Sequence, residues 1–396
     1  MIYPSDSQVK KFFIAPIVFI LLCFAVPALA DDFQDGMDAA TRGDFAMAFE
    51  KWEPLAKRGS ALAQFNLGLM YDKGEGVKRN YKIAVKWYKL AAKQGIAPAQ
   101  FNLGVLYSKG KGVRQSFKKA LMFYTRAARQ GSSSAQFNLG LMYEIGEGVI
   151  PDYKRAIKWY RLAAKQNNTQ AQFNLGQIYE SGERVAQDYK KVVKWYNLAA
   201  ENGHELAQLK LGHLFEKGIG VTKSDKKAVK WYKLAADQGN ETARFNLGYM
   251  YSRGIGVEQD YSEAVKWYLL SAGQGNVLAQ YNLGVLYSEG RGTRQSYSKA
   301  AGWFHRAAKK GDAEAQFRLG RMYEEGDGVE KDMGKAVKLY RLAADQGHAM
   351  AQGSLGWMYI NGKGVEEDLE EAAKWYRRSE QSLKAENERS PLSSLR

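Results

Sequence analysis

The chain is almost without cysteine. Its one cysteine, Cys23, lies in an apolar N-terminal run. Once that run is removed, no thiol remains. Disulfides and thiolate chemistry are then excluded, and stability must come from packing. Histidine is also scarce, with only His204, His213, His305 and His348. No His-x-x-x-His pair or acidic partner motif accompanies them, so a zinc site or a Ser-His-Asp centre has no support. They read as scattered surface residues, and no metal, cofactor or catalytic residue is expected. Proline is low at 7 residues in 396 against 40 glycines, a balance that suits helices separated by tight turns. Beyond residue 30 no apolar run reaches membrane-spanning length, so no transmembrane domain is expected in the mature chain.

What is present argues for an ordered core. Hydrophobic residues make up 45% of the chain and aromatic residues 13%. Lys10 and Lys11 precede an apolar run from Phe12 to Val26, which is followed by Pro27-Ala28-Leu29-Ala30. This pattern predicts a signal peptide over residues 1–30, cleaved before Asp31. The product would be exported to the periplasm, cell surface or medium. The formal net charge of +16 is uneven. Residues 31–200 carry 27 basic and 15 acidic residues, and residues 201–396 carry 29 and 26. The excess favours an anionic partner such as an envelope polymer; export makes nucleic acid a poor candidate.

The phrase Ala-Gln-Phe-Asn-Leu-Gly stands at 63–68, 99–104, 135–140 and 171–176, always 36 residues apart. The register continues through nine Leu-Gly pairs, from Leu67-Gly68 to Leu355-Gly356, without insertion or deletion. A fixed period of this length means an array of one supersecondary unit. In the first unit, helix A is expected from about Ala61 to Lys73, with Ala63, Leu67, Met70 and Tyr71 as its apolar stripe. Gly74-Glu75-Gly76 ends it. Helix B is expected from about Tyr81 to Gln94, with Ala84, Val85, Tyr88, Ala91 and Ala92 on one side. Asn167 replaces the closing glycine in the third unit and tolerates the same left-handed geometry. Gly68 lies inside helix A at a cost of about 1 kcal/mol. Close approach of small residues on helix B, Ala84 and Ala91, is the expected compensation. Phe45, Ala48, Phe49, Trp52 and Ala56 form a degenerate starter, and Ser379-Glu380 replace an Ala-Ala pair as a polar end cap. The division is therefore a signal peptide at 1–30, a degenerate cap at 31–62, nine repeats over 63–386 and a polar tail at 387–396.

The residues Ala63–Val77 and Ala84–Gly95 resemble the Sel-one-like repeat, a relative of the tetratricopeptide repeat, and the likeness covers nearly the whole mature chain. Departures are local: Arg184 for the second Gly, Thr293 for Val and Leu339 for Trp. The resemblance implies an all-α, α/α superhelical solenoid whose A helices line a concave surface. It also implies a scaffold or adaptor that binds a protein or peptide partner. A cysteine-rich branch of the family implies β-lactam binding or hydrolysis; its paired cysteines are missing here, and a hydrolase is the remote alternative. Binding of anionic envelope polysaccharide or peptidoglycan is the nearer one. Gly-x-Gly recurs in eight units, but it follows a helix, so it reads as a cap and not a phosphate loop.

Candidate partner contacts lie on the face of helix A opposite Leu67. Asn66, Asn102, Asn138, Asn174, Asn246 and Asn282 form a column. Either they hydrogen-bond an extended peptide backbone, or they tie adjacent A helices together. The column breaks at Lys210, Arg318 and Ser354. Lys210, His213 and Lys217 share a face at i, i+3 and i+7, and so do Arg318 and Arg321, as two basic points for acidic groups of a partner. Tyr249 and Trp357 add aromatic contacts in a column that varies from repeat to repeat. Helix B carries lysine rows beginning at Lys82, Lys86, Lys89 and Lys93, read as a solvated face or as an attraction to anionic lipid or glycan.

Overall fold

Among the residues that the computed structural model describes, 27–389, twenty α-helices follow one another and no strand occurs; side chains are described for 31–385. Residues 1–26 of the signal-peptide assignment at 1–30, and the end of the polar tail at 390–396, lie outside the described residues. No helix among the described residues is long and apolar enough to cross a membrane.

Two units are distinguishable, divided inside α8 between Ala156 and Ile157. The first contains α1 (Pro27–Thr41), α2 (Phe45–Lys57), α3 (Ala61–Lys73), α4 (Tyr81–Lys93), α5 (Ala97–Lys109), α6 (Phe117–Arg129), α7 (Ser133–Ile145) and the start of α8 (Tyr153–Ala164). After the rest of α8, the second contains α9 (Thr169–Ser181), α10 (Tyr189–Glu201), α11 (Glu205–Lys217), α12 (Asp225–Asp237), α13 (Glu241–Arg253) and α14 (Tyr261–Gln274). It continues with α15 (Val277–Glu289), α16 (Tyr297–Lys309), α17 (Ala313–Glu325), α18 (Met333–Asp345), α19 (Ala349–Ile360) and α20 (Leu369–Arg389). From α1 to α7, and again from α9 to α20, each helix packs against the next in sequence. The fold is an all-α solenoid of helix-turn-helix repeats.

Local chemistry explains the punctuation. Ser60 accepts the backbone N–H of Ala63 and opens α3, and Gly74, at φ +80°, closes it. A side chain at Gly74 would have to adopt left-handed geometry that only glycine takes freely. Asn167 takes φ +59° in the third repeat, as its side chain permits. The starter is a complete helix pair: Gly36 of α1 lies directly against the ring of Trp52 in α2, and Trp52 donates to the carbonyl of Phe33 at 3.2 Å.

The helix-A glycine works differently from the small-against-small contact expected of it. Gly68 is a notch for an aromatic ring. A Cβ there would lie 2.5 Å from Tyr88 Cδ1. Gly104 receives Tyr124 in the same way, and in the second unit Gly212 and Gly248 receive Tyr232 and Tyr268. Tyr88 and Tyr232 are fully buried. Burying one such ring removes about 150–250 Å² from water, worth roughly 4–6 kcal/mol as an upper figure. That outweighs the roughly 1 kcal/mol a helical glycine costs. Phe65, Phe101, Phe173, Phe245 and Phe317 lean on Tyr88, Tyr124, Tyr196, Tyr268 and Tyr340, with centroids 5.5–5.9 Å apart.

Candidate partner-binding face

The asparagine column belongs to a joint between successive A helices. Tyr88 of α4 donates its hydroxyl hydrogen to Asp72 of α3 at 3.1 Å and is hydrogen-bonded by Asn102 of α5. Tyr232 donates to Glu216 at 2.7 Å and is bonded by Asn246. Asn174 donates to Tyr160 at 3.2 Å. The chemistry is sequential: a carboxylate takes the phenol hydrogen, which leaves the phenol oxygen to accept from the asparagine of the next repeat. Burial, followed by the bond to Glu216, pushes the Tyr232 phenol well up, so it stays a donor.

Where serine replaces the carboxylate, the joint changes. Ser108 and Ser252 donate to backbone carbonyls one turn back, at 2.9 and 2.8 Å, and Ser252 also bonds the Tyr268 hydroxyl. In the following repeats Asn138 and Asn282 also turn to their own helix, donating to Ser134 and Leu278 carbonyls at 2.8 and 2.9 Å. Asn66, which follows the starter, donates to Met37 Sδ at 3.7 Å.

Two of the three breaks in the column, at Lys210 and Arg318, have a physical reason. Lys210 replaces the asparagine with an ion pair, its Nζ 3.1 Å from Glu180, which also accepts from Tyr196 at 2.6 Å. Arg318 follows Phe304, which has no hydroxyl to offer, and pairs instead with Glu314 at 2.9 Å. Lys217 pairs with Glu216 at 2.7 Å, and Arg321 with Glu325 at 2.6 Å. The two basic points are therefore alternations of cation and carboxylate. His213, Tyr249, Arg321 and Trp357 are exposed at one register position, with Tyr249 and Trp357 at 44% and 43%. Arg253 lies over the Tyr249 ring at 5.8 Å. A cleft of about 140 Å³ next to Arg318 and Arg321 is lined also by Tyr297, Met322 and Glu325. That is well below the roughly 300–1,000 Å³ of an ordinary small-molecule site.

Two histidines are not scattered. His204 and His348 share one register position and open α11 and α19, their Nδ1 atoms accepting from Ala207 and Ala351 at 3.3 and 3.1 Å. Their rings stack on Phe173 and Phe317. Burial pulls the His204 imidazole below its usual range, against the pull of Glu205. His348 Nε2 also donates to Glu314 at 2.8 Å. That bond and the one from Arg318 hold the Glu314 carboxyl down to about 2, although burial opposes them. Among the described residues no three His, Cys, Asp or Glu side chains converge as a metal site would require.

The column next to the asparagines also carries the framework. Gln64, Gln100, Gln136, Gln172, Gln208, Gln280, Gln316 and Gln352 are buried, and each donates to a carbonyl eight residues earlier, at the end of the preceding B helix. Gln238 donates in turn to Gln208 at 2.7 Å, and Gln94 to Gln64 at 2.8 Å. Arg244, standing in for glutamine, donates to the Ala236 carbonyl at 3.1 Å and to Gln274 at 2.9 Å. The signal was in the sequence, in the constancy of the Gln of Ala-Gln, but apolar periodicity passes over a buried amide.

A family model, the Sel1 repeat, matches nine successive segments of the chain: 61–96, 97–132, 133–168, 169–204, 206–240, 242–276, 277–312, 313–348 and 349–381. Two crystal structures are similar over most of the length. One is described as a protective antigen present in uropathogenic Escherichia coli strains displaying an SLR fold; it is 32% identical, spans 93% of this chain and 89% of its own, and has a TM-score of 0.66. The other is a Sel1 repeat protein from Oxalobacter formigenes, 34% identical over 78% of this chain and 90% of its own, with a TM-score of 0.58. No curated protein sequence matches the chain.

Proposed function

The chain belongs to the Sel1 repeat family, a family of protein-interaction scaffolds, and on that premise we propose that it is a non-catalytic scaffold that holds a protein or peptide partner against its A helices. One observation carries this reading. At a single register position of the second unit, Gln177, His213, Tyr249, Arg321 and Trp357 stand exposed and chemically different. The Leu and Gly positions on the packed side of the same helices, from Leu175-Gly176 to Leu355-Gly356, are uniform. Packing asks for the same side chain in every repeat, whereas recognition asks for a different one at each step. Tyr249 and Trp357 are the aromatic anchors. Arg321, Lys217 and Lys210 act through their carboxylate pairs, which a partner's acidic groups exchange for new ones. Export through residues 1–30 is part of the proposal, and intact-mass measurement of the purified protein tests it: a chain beginning at Asp31 supports export, and an unprocessed chain counts against it.

The binding experiment is a cross-linking capture with the wild type beside Tyr249→Ala/Trp357→Ala. Both side chains are half-exposed, so the variant should keep its melting temperature within the small range of surface substitutions. A protein held by the wild type and lost from the variant supports the scaffold. The same proteins on both baits, or only glycan, would remove this face or this reading.

A further inference from the structure

The proposed partner face leaves the outer side of the B helices unused, and in the first unit that side has an unusual charge. Between Glu75 and Glu144 the chain has no Asp or Glu and thirteen Lys or Arg. The capping chemistry there is neutral as well. Asn80 and Ser116 open α4 and α6; in the second unit Asp188, Asp260 and Asp332 open α10, α14 and α18, and Ser224 and Ser296 open α12 and α16. Those aspartates, or a glutamate beside them, pair with the local lysines: Lys191 with Asp188, Lys266 with Glu263, Lys335 with Asp332. In α4, Lys82, Lys86, Lys89 and Lys93 have no carboxylate partner among the described residues, and all are exposed.

Their spacing of four, three and four residues places them on one face of α4. The face continues into α6. Lys89 of α4 and Lys119 of α6 approach opposite the same Tyr107 ring, at 6.0 and 5.2 Å from its centroid. Lys118, Arg126 and Arg129 extend it. Two apolar side chains stand exposed among these cations, Leu90 at 46% and Met122 at 40%.

From this arrangement we infer that the outer face of α4 and α6 is a docking surface for an anionic lipid bilayer. The cations are spread along two helices without converging, so they suit an extended charged plane and not a single small anion. Leu90 and Met122 decide between a bilayer and a soluble polyanion. A polymer in water leaves them wet, whereas a bilayer takes them into the boundary between headgroups and acyl chains. The lysine stems reach past them to the phosphates.

The test is co-sedimentation of the full chain with vesicles of phosphatidylcholine alone and of phosphatidylcholine mixed with phosphatidylglycerol, at low and high salt. Binding to the neutral vesicles, including any through residues 12–26, is common to all variants and is subtracted. The anionic lipid should raise binding, and salt should reverse the rise. Each lysine removed should lower the increment about fivefold at low salt. Lys86→Gln/Lys89→Gln/Lys93→Gln should therefore lose roughly a hundredfold, while the triple Lys→Arg variant retains it. Lys226→Gln/Lys230→Gln/Lys233→Gln on α12 should change little. Leu90→Gln/Met122→Gln should weaken vesicle binding and leave retention on immobilised heparin unchanged. Equal loss from the α12 variant would overturn the inference in favour of bulk charge. Heparin retention without any increment from phosphatidylglycerol would overturn it in favour of a soluble polyanion.

Discussion

Gly68 and Tyr88 are so close that the glycine's missing Cβ is the space the tyrosine ring fills; a carbon there would lie 2.5 Å from Tyr88 Cδ1. The glycine is therefore a packing residue inside a helix. Gly68→Ala gains about 1 kcal/mol of helix propensity. It also forces a fully buried ring to move, which typically costs about 1–3 kcal/mol. The expected result is a net loss of stability in urea unfolding. Gly302→Ala in α16 is the control, since nothing lies within 4 Å of its added carbon. It should stabilise by about 0.5–1 kcal/mol. A stabilised Gly68→Ala would refute the notch.

The glutamine lock makes a prediction of opposite sign at two repeats. Gln208→Leu removes the side-chain bonds to the Ala200 carbonyl, which keeps the Gly203 N–H, and to the exposed Gln238, and should cost about 0.5–1.5 kcal/mol. Gln280 and Gln352 already have an unpartnered Oε1. At Gln280 the reason is visible: position 310, which supplies the donor elsewhere, is Lys310, and it donates to the Gly275 carbonyl instead. Lys310→Gln should satisfy both acceptors, as Gln94 does with Gly59 and Gln64. A gain of about 0.5–1.5 kcal/mol is expected. No gain in melting temperature would show that the lock adds nothing.

His204 makes stability depend on pH. Its folded imidazole titrates below its usual range of about 6.5, chiefly because it is buried. The unfolded chain then binds a proton that the folded chain does not. Stability should be full above about pH 6.5, and should fall as pH drops through that value toward the folded pKa. Protonation at Nδ1 also removes the acceptor for Ala207. His204→Asn keeps a capping acceptor that does not titrate, the choice made at Asn168, Asn240 and Asn276. Its melting temperature should fall less between neutral and mildly acidic pH; an unchanged slope would assign the dependence elsewhere.

Lys210 tests whether a basic point serves the partner or the joint. Lys210→Glu sets a carboxylate against Glu180 and should cost up to about 1 kcal/mol, since the pair is half-exposed. Lys210→Asn restores the column's usual residue and should be neutral in thermal unfolding. If the partner needs the cation, both variants lose binding. If only Lys210→Glu loses it, the role of the lysine is structural.

The period, the helix boundaries and the core were legible in the sequence because they follow from local rules repeated nine times. Gly74 and Asn167 sit where a left-handed cap is required, and helices start and stop within a residue of where caps and apolar spacing place them. The tertiary structure decided what the constant letters are for. Phe304 in place of tyrosine removes the hydroxyl that residue 318 would bond, and where serine stands at 108 or 252 the next asparagine bonds its own helix. These choices depend on residues fourteen to thirty positions apart meeting across helices. A pattern with a period of 3.6 cannot report such contacts. The sequence by itself determines that every unit must fit the next. Only the packed structure decides which polar atoms that fit consumes, and which side chains it leaves outside, because hydrogen bonds are satisfied in space and not along the chain.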